Sequence, residues 1–169
     1  SFTANYVVTL TDRVRLELIV TNTSPQHDFT FENCLHSYLA VGDIHQVTIA
    51  GLKGLSYLDK VDNFAQKTET SDAFKVTSET DRVFLDAPGR VEVADRAWKR
   101  KIIVEKSGSA STVIWNPWSA KSQQMPDIGS DEYLRMICVE SGNVSRNKLI
   151  LKPGQSSTLS VTLSTAPLA

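Results

Sequence analysis

Arg82-Val83-Phe84-Leu85, Arg90-Val91-Glu92-Val93, Lys101-Ile102-Ile103-Val104 and Thr112-Val113-Ile114-Trp115 succeed one another along the chain, and their reading decides the fold. Each run is rich in β-branched or aromatic residues, which suit a pleated, half-buried surface. Turn-forming residues separate them: Ala87-Pro88-Gly89, Asp95-Arg96 and Ser107-Gly108-Ser109. The same rhythm extends upstream. Tyr6, Val8 and Leu10 alternate with other residues, Val14, Leu16, Leu18 and Val20 repeat the period of two, and the polar Thr11-Asp12-Arg13 joins the two runs as a hairpin would. Phe29 to Val41 reads as one extended stretch and Val47 to Ile49 as a short strand, with Gly51 and Gly54 framing a turn. Downstream, Met136 to Glu140 is a strand, and Leu149-Ile150-Leu151 and Thr158 to Leu163 form a last pair around Lys152-Pro153-Gly154. A short helical turn is expected around Asp131 to Arg135, and no long amphipathic helix is found. The fold class is all-β, an antiparallel β-sandwich.

The 169 residues, 41% of them hydrophobic, fit a single globular unit. Eighteen basic and nineteen acidic residues leave a formal net charge of -1, so no global field holds a polyanion and nucleic acid is not an expected partner. No apolar run approaches a membrane span, and Ser1-Phe2-Thr3-Ala4-Asn5 lacks the pattern of a signal peptide, so a cytoplasmic location is expected. Cys34 and Cys138 are too few for a disulfide framework or a structural zinc site and read as reduced core thiols.

Alternation in Cys34-Leu35-His36-Ser37-Tyr38-Leu39 sets Cys34, His36 and Tyr38 on one face and Leu35, Ser37 and Leu39 on the other. A histidine sharing a less apolar face with a tyrosine suits a cleft that binds hydroxyls; it equally suits a satisfied structural histidine. Glu140 shares a face with Met136 and Cys138 in Met136-Ile137-Cys138-Val139-Glu140. A carboxylate there is either a solvated strand end or a group held in a site that perturbs its protonation. Asp81 can accept hydrogen bonds from a sugar hydroxyl, pair with a neighbouring arginine or cap a turn. Trp115-Asn116-Pro117-Trp118 ends a strand at its proline and brackets an amide with two aromatics, suited to sugar C–H surfaces or to a core. The basic run Arg96 to Lys101 reads as an exposed hairpin face. His27, His36 and His45 lack metal-helix spacing, and neither a nucleophile elbow nor a glycine-rich phosphate loop occurs, so no metal and no cofactor is expected.

Leu35-His36-Ser37-Tyr38-Leu39, the segment from Gly51-Leu52-Lys53-Gly54 to Tyr57-Leu58-Asp59-Lys60, Glu79-Thr80-Asp81-Arg82, Trp115-Asn116-Pro117-Trp118 and Cys138-Val139-Glu140 together resemble the glucose-6-phosphate 1-epimerases. These belong to the aldose 1-epimerase family of galactose-mutarotase-like proteins. The resemblance runs from about Val14 to Pro153. It implies a β-sandwich of the mutarotase type, interconversion of the α and β anomers of a hexose 6-phosphate, and no cofactor. It also implies Glu140 as general base, His36 as general acid and Asp81 as a group that fixes sugar hydroxyls. Family members are longer. Residues 1–169 are therefore expected to be the C-terminal portion of a single domain, a partial sandwich whose uncovered strand edges invite self-association. A non-catalytic carbohydrate-binding or scaffold subunit on the same fold is the alternative.

Overall fold

The computed structural model describes residues 1–168. In chain order the strands begin with β1 (Phe2–Leu10), β2 (Val14–Asn22), β3 (Phe29–Phe31), β4 (Asn33–Leu35) and β5 (Tyr38–Ala40). They continue with β6 (Val47–Ala50), β7 (Ser56–Asp59), β8 (Ala65–Thr68), β9 (Ala73–Phe74), β10 (Thr80–Phe84) and β11 (Arg90–Asp95). The last are β12 (Arg100–Ser107), β13 (Ser111–Asn116), β14 (Met136–Asn143), β15 (Leu149–Leu151) and β16 (Ser156–Pro167). A single helical turn, α1 (Trp118–Ser122), follows Pro117, and Glu132–Arg135 forms the short turn expected before β14.

Two antiparallel sheets stack. One has the order β1-β2-β16-β12-β11-β6-β9; the other has the order β4-β14-β13-β10-β7-β8, with β5 also on β14, and β15 and β3 make a separate pair. All strand pairings among the described residues are antiparallel, as the short turns between neighbouring runs require. The core between the sheets is filled by Ile49, Val93, Val104 and Val161 from the first and by Phe84, Ile114, Ile137 and Val139 from the second. Those positions alternate along their strands with residues of the second sheet's outer face, where Val83, Val113, Trp115 and Cys138 form a smaller apolar cluster. The second sheet is thus apolar on both faces, and the outer one carries the candidate site.

Phe29 to Val41 is not one strand but three. β3 leaves to pair with β15, and the chain bends at His36-Ser37 between β4 and β5. The bend keeps its place in the ladder because Val139 N–H donates to the Ser37 carbonyl at 3.2 Å. Strands β7, β8 and β9 carry little β-branched signal and were not anticipated; β8 and β9 are sheet edges, where pairing rather than propensity makes the strand. Gly51 and Gly54 do turn the chain, with φ of 100° and 80°. Along the first sheet, β1 is an edge strand that exposes Phe2, Tyr6, Val7, Val8 and Leu10.

Candidate active site

A cavity of ≈ 570 Å³ opens on the outer face of the second sheet, and His36, Asp81 and Glu140 all line it. Its position follows from register. Val83 pairs with Val113 and Val113 with Glu140, while one row along Asp81 pairs with Trp115 and Trp115 with Cys138. Ser141 pairs with Leu35 and Cys138 with Tyr38, so β4 and β5 keep a single register on β14 and the bend between them sets His36 beside Glu140. Three segments distant in sequence therefore deliver one histidine and two carboxylates to the same face.

Glu140 is not a strand end. β14 continues to Asn143, and the residue is 6% exposed. Its Oε1 lies 3.3 Å from Nδ1 of His36, whose side chain is 58% exposed, and its Oε2 accepts the Cys34 thiol at 3.6 Å. Burial raises the Glu140 pKa above the ordinary carboxylate value; the His36 charge and the Cys34 hydrogen bond oppose that rise, and Asp81 adds to it. Burial, reinforced by Glu140, pushes the Cys34 thiol up to about 12. Both cysteines are free thiols, yet Cys34 lines the cavity, whereas Cys138 is fully buried in the apolar cluster.

Asp81 is also buried, at 6% exposure, and holds Nζ of Lys60 at 2.9 Å through Oδ2. Its Oδ1 has no partner although it is out of contact with solvent. An unpaired buried carboxylate oxygen beside a cavity is an acceptor waiting for a donor. The neighbouring arginine is not its partner: Arg82 points to the opposite face, binds Glu69 at 2.8 Å and stacks over Tyr57 and Phe74. Lys60 gave no signal of its own in the sequence, since only the fold brings its turn under Asp81.

The two tryptophans of Trp115-Asn116-Pro117-Trp118 part company. Trp115 lines the cavity with Tyr38 edge-on at 5.9 Å between ring centroids. Trp118 turns inward, packs on the main core and meets His45 and Tyr133. Asn116 faces no ligand. Its amide donates to the Tyr133 and Met136 carbonyls, each at 2.9 Å, and its Oδ1 accepts from Trp118 N–H at 2.9 Å, so it ties the α1 turn to the start of β14. The basic run is a structural hairpin, in which Arg100 binds the buried Asp95 at 3.4 Å and stacks on Trp98.

Two stacked antiparallel sheets of this order place the chain in the galactose-mutarotase class of fold. The family model for aldose 1-epimerase matches residues 1–164, and the chain belongs to that family. A protein from Cenchrus ciliaris with the provisional name glucose-6-phosphate 1-epimerase is 36% identical over 160 residues, which are 95% of this chain and 47% of that one. A relative of the same provisional name from Escherichia coli is 33% identical over 125 residues, 74% of this chain and 42% of the other. The crystal structure of a provisionally named mutarotase from Salmonella typhimurium superposes with a TM-score of 0.90 at 28% identity, covering 98% of this chain and 54% of that chain. The chain thus spans about half the length of the relatives it matches. No helix among the described residues is long and apolar enough to cross a membrane.

Proposed function

We propose that this chain carries the acid and base of a hexose-6-phosphate 1-epimerase, an isomerase that interconverts anomers by opening and reclosing the sugar ring. The observation that carries the reading is the pairing, within one cavity, of the buried Glu140 with the exposed His36 at 3.3 Å. Anomer exchange needs one group to take the proton of the anomeric hydroxyl and another to give a proton to the ring oxygen. A carboxylate whose burial has made it a better base fits the first task. An imidazole, which exists in both forms near neutral pH, fits the second. With the ring open, rotation about the bond beside the aldehyde carbon exposes its other face, and reclosure with the two roles exchanged yields the other anomer. Protons lent in opening are returned in closing, so the reaction needs no external acid or base. Asp81, with its unpaired Oδ1, would receive a sugar hydroxyl, and the Trp115 and Tyr38 rings would meet the apolar faces of the sugar.

The cavity lies within the size range of small-molecule sites. The phosphorylated substrate is the reading favoured by the names of the relatives. The residues described here would form the catalytic half of one domain, and the exposed apolar face of β1 is the surface on which further strands of a family domain would pack.

The test is anomer exchange of glucose 6-phosphate, followed by NMR on the full-length protein and on Glu140→Gln, with free glucose alongside. The parent should accelerate exchange of the phosphate ester more than of the free sugar, and the variant should lose roughly 10²- to 10⁴-fold. A folded parent that accelerates neither sugar leaves the non-catalytic binding unit as the better account.

A further inference from the structure

The spacing of histidines along the chain offers no metal site, but folding creates a different constellation. Cys34 and His36 flank Leu35 on one side of β14, and Glu140 meets both from β14 itself. We propose that Cys34 Sγ, His36 Nδ1 and the Glu140 carboxylate form a binding site for a thiolate-seeking divalent ion, Zn²⁺ in the first instance, and that occupancy switches the site off. The second half of that statement rests on the acid–base roles proposed above; the first does not.

Geometry is the argument. The three ligand atoms lie within 4.8 Å of one another. A tetrahedral zinc with sulfur at roughly 2.3 Å and nitrogen and oxygen near 2.0 to 2.2 Å separates its ligands by about 3.3 to 3.6 Å. The observed separations are 3.3 Å from His36 Nδ1 to Glu140 Oε1 and 3.6 Å from Cys34 Sγ to Glu140 Oε2. These two distances reach different oxygens of the carboxylate and the ligand atoms spread over as much as 4.8 Å, so seating an ion draws the three side chains together by about 1 Å. One soft thiolate, one imidazole and one carboxylate is a donor set that suits zinc and disfavours magnesium or calcium. Three protein ligands that all line the cavity would leave a fourth position for water, as in zinc sites that are not purely structural.

The electrostatics point the same way. Glu140 is kept from solvent beside a thiol and near a second carboxylate, Asp81, and a dication would compensate that crowding. An ion on Nδ1 of His36 and on Glu140 would tie up the imidazole and the carboxylate that ring opening would use. Anomer exchange should then stop without any change in fold.

The experiment uses Co²⁺ as a spectroscopic probe on the full-length, reduced protein, with Zn²⁺ as competitor. A near-ultraviolet thiolate-to-cobalt band and visible bands of four-coordinate cobalt should appear at one equivalent and vanish on adding Zn²⁺. Since losing a mere supporting group weakens a metal site roughly 10- to 100-fold, removing a ligand should cost about 100-fold or more. Cys34→Ser should therefore abolish the near-ultraviolet band and weaken binding, His36→Gln should weaken binding with the band retained, and Cys138→Ala should bind as the parent does. Circular dichroism of the unloaded variants identifies any that fails to fold, and His36→Gln then carries the test in place of Cys34→Ser. No band in the parent, or a band lost in Cys138→Ala but kept in Cys34→Ser, overturns the proposal. Exchange assays with Zn²⁺ and then a chelator separate the two readings. A cobalt band in a protein whose metal-free form shows no exchange sinks the epimerase assignment and leaves the metal site standing; exchange by the metal-free form with no band on adding Co²⁺ does the reverse.

Discussion

Lys106→Met is expected to stabilise the protein at neutral pH, and the reason lies just behind the candidate site. Lys106, on β12, is largely withdrawn from water, and burial lowers its pKa from 10.5 to about 8. Its ammonium finds no carboxylate among the described residues; Nζ donates to the Ser111 carbonyl at 2.7 Å and to Ser109 Oγ at 3.2 Å. At about 1.4 kcal/mol per pH unit, that depression is a cost of about 3 kcal/mol, reduced to about 2 for the solvent the side chain still touches. Against this stand the two hydrogen bonds. Ser109 Oγ lies 3.0 Å from the Ser111 carbonyl and 2.9 Å from the Gly142 carbonyl, and its single proton can turn to the Ser111 oxygen when the lysine is gone. The loss is then about 1 kcal/mol, at the low end for two bonds. A methionine retains most of the apolar stem, so the net gain is about 1 kcal/mol, or roughly 2 to 4 °C in Tm for a chain of this size. Below pH 8 both the folded and the unfolded chain carry the charge and the full cost applies. As pH rises from about 8 to 10.5 the folded parent releases its proton first and regains stability, so the advantage of the variant shrinks and then reverses. Urea denaturation of both proteins at pH 7 and pH 10 measures this difference, from which the titration of Cys138, present in both, cancels. A variant less stable than the parent at pH 7, or a difference indifferent to pH, would refute the reasoning.

Two further outcomes follow from the same geometry. Gly142→Ala places a methyl 2.6 Å from the Asn33 carbonyl oxygen and 2.9 Å from Cys34 Sγ, so it should push β4 off β14, cost about 1 to 3 kcal/mol in urea denaturation and slow anomer exchange; a variant as stable and as active as the parent would show that β4 is not held this tightly. If Glu140 is the base, the acid limb of the exchange rate should lie above its ordinary value of 4.5, activity falling as pH drops through the raised pKa. Cys34→Ala, which removes the thiol hydrogen bond that opposes the rise, should move the limb higher still in metal-free buffer, and a limb that stays put or moves down contradicts the assigned cause.

Most strands of the two sheets, β7, β8 and β9 apart, were legible because period-two alternation is a local signal. Val91, Val93, Val104, Ile114 and Val139 go to the inter-sheet core as their spacing demands, and the face shared by Cys34, His36 and Tyr38 survives the bend at Ser37 because all three line one cavity. What the sequence withholds is pairing between distant segments. Glu140 looked like a strand end because a charge closes an apolar run; the ladders of β14 with β13 and β4, through Ser141 paired to Thr112 and to Leu35, carry that strand onward and bury the carboxylate. Asp81 has an arginine beside it in sequence, yet adjacent strand residues point to opposite faces, so the cation that reaches it is Lys60 from the turn after β7. The same limit hid the metal constellation. A search by spacing finds ligands one helical turn apart, whereas here two come from one bend and the third from its partner strand, more than a hundred positions away. Because register sets both the His36–Glu140 pair and the Cys34–Glu140 pair, chemistry and metal capture would draw on the same two side chains, and a sugar and a zinc ion should compete for them.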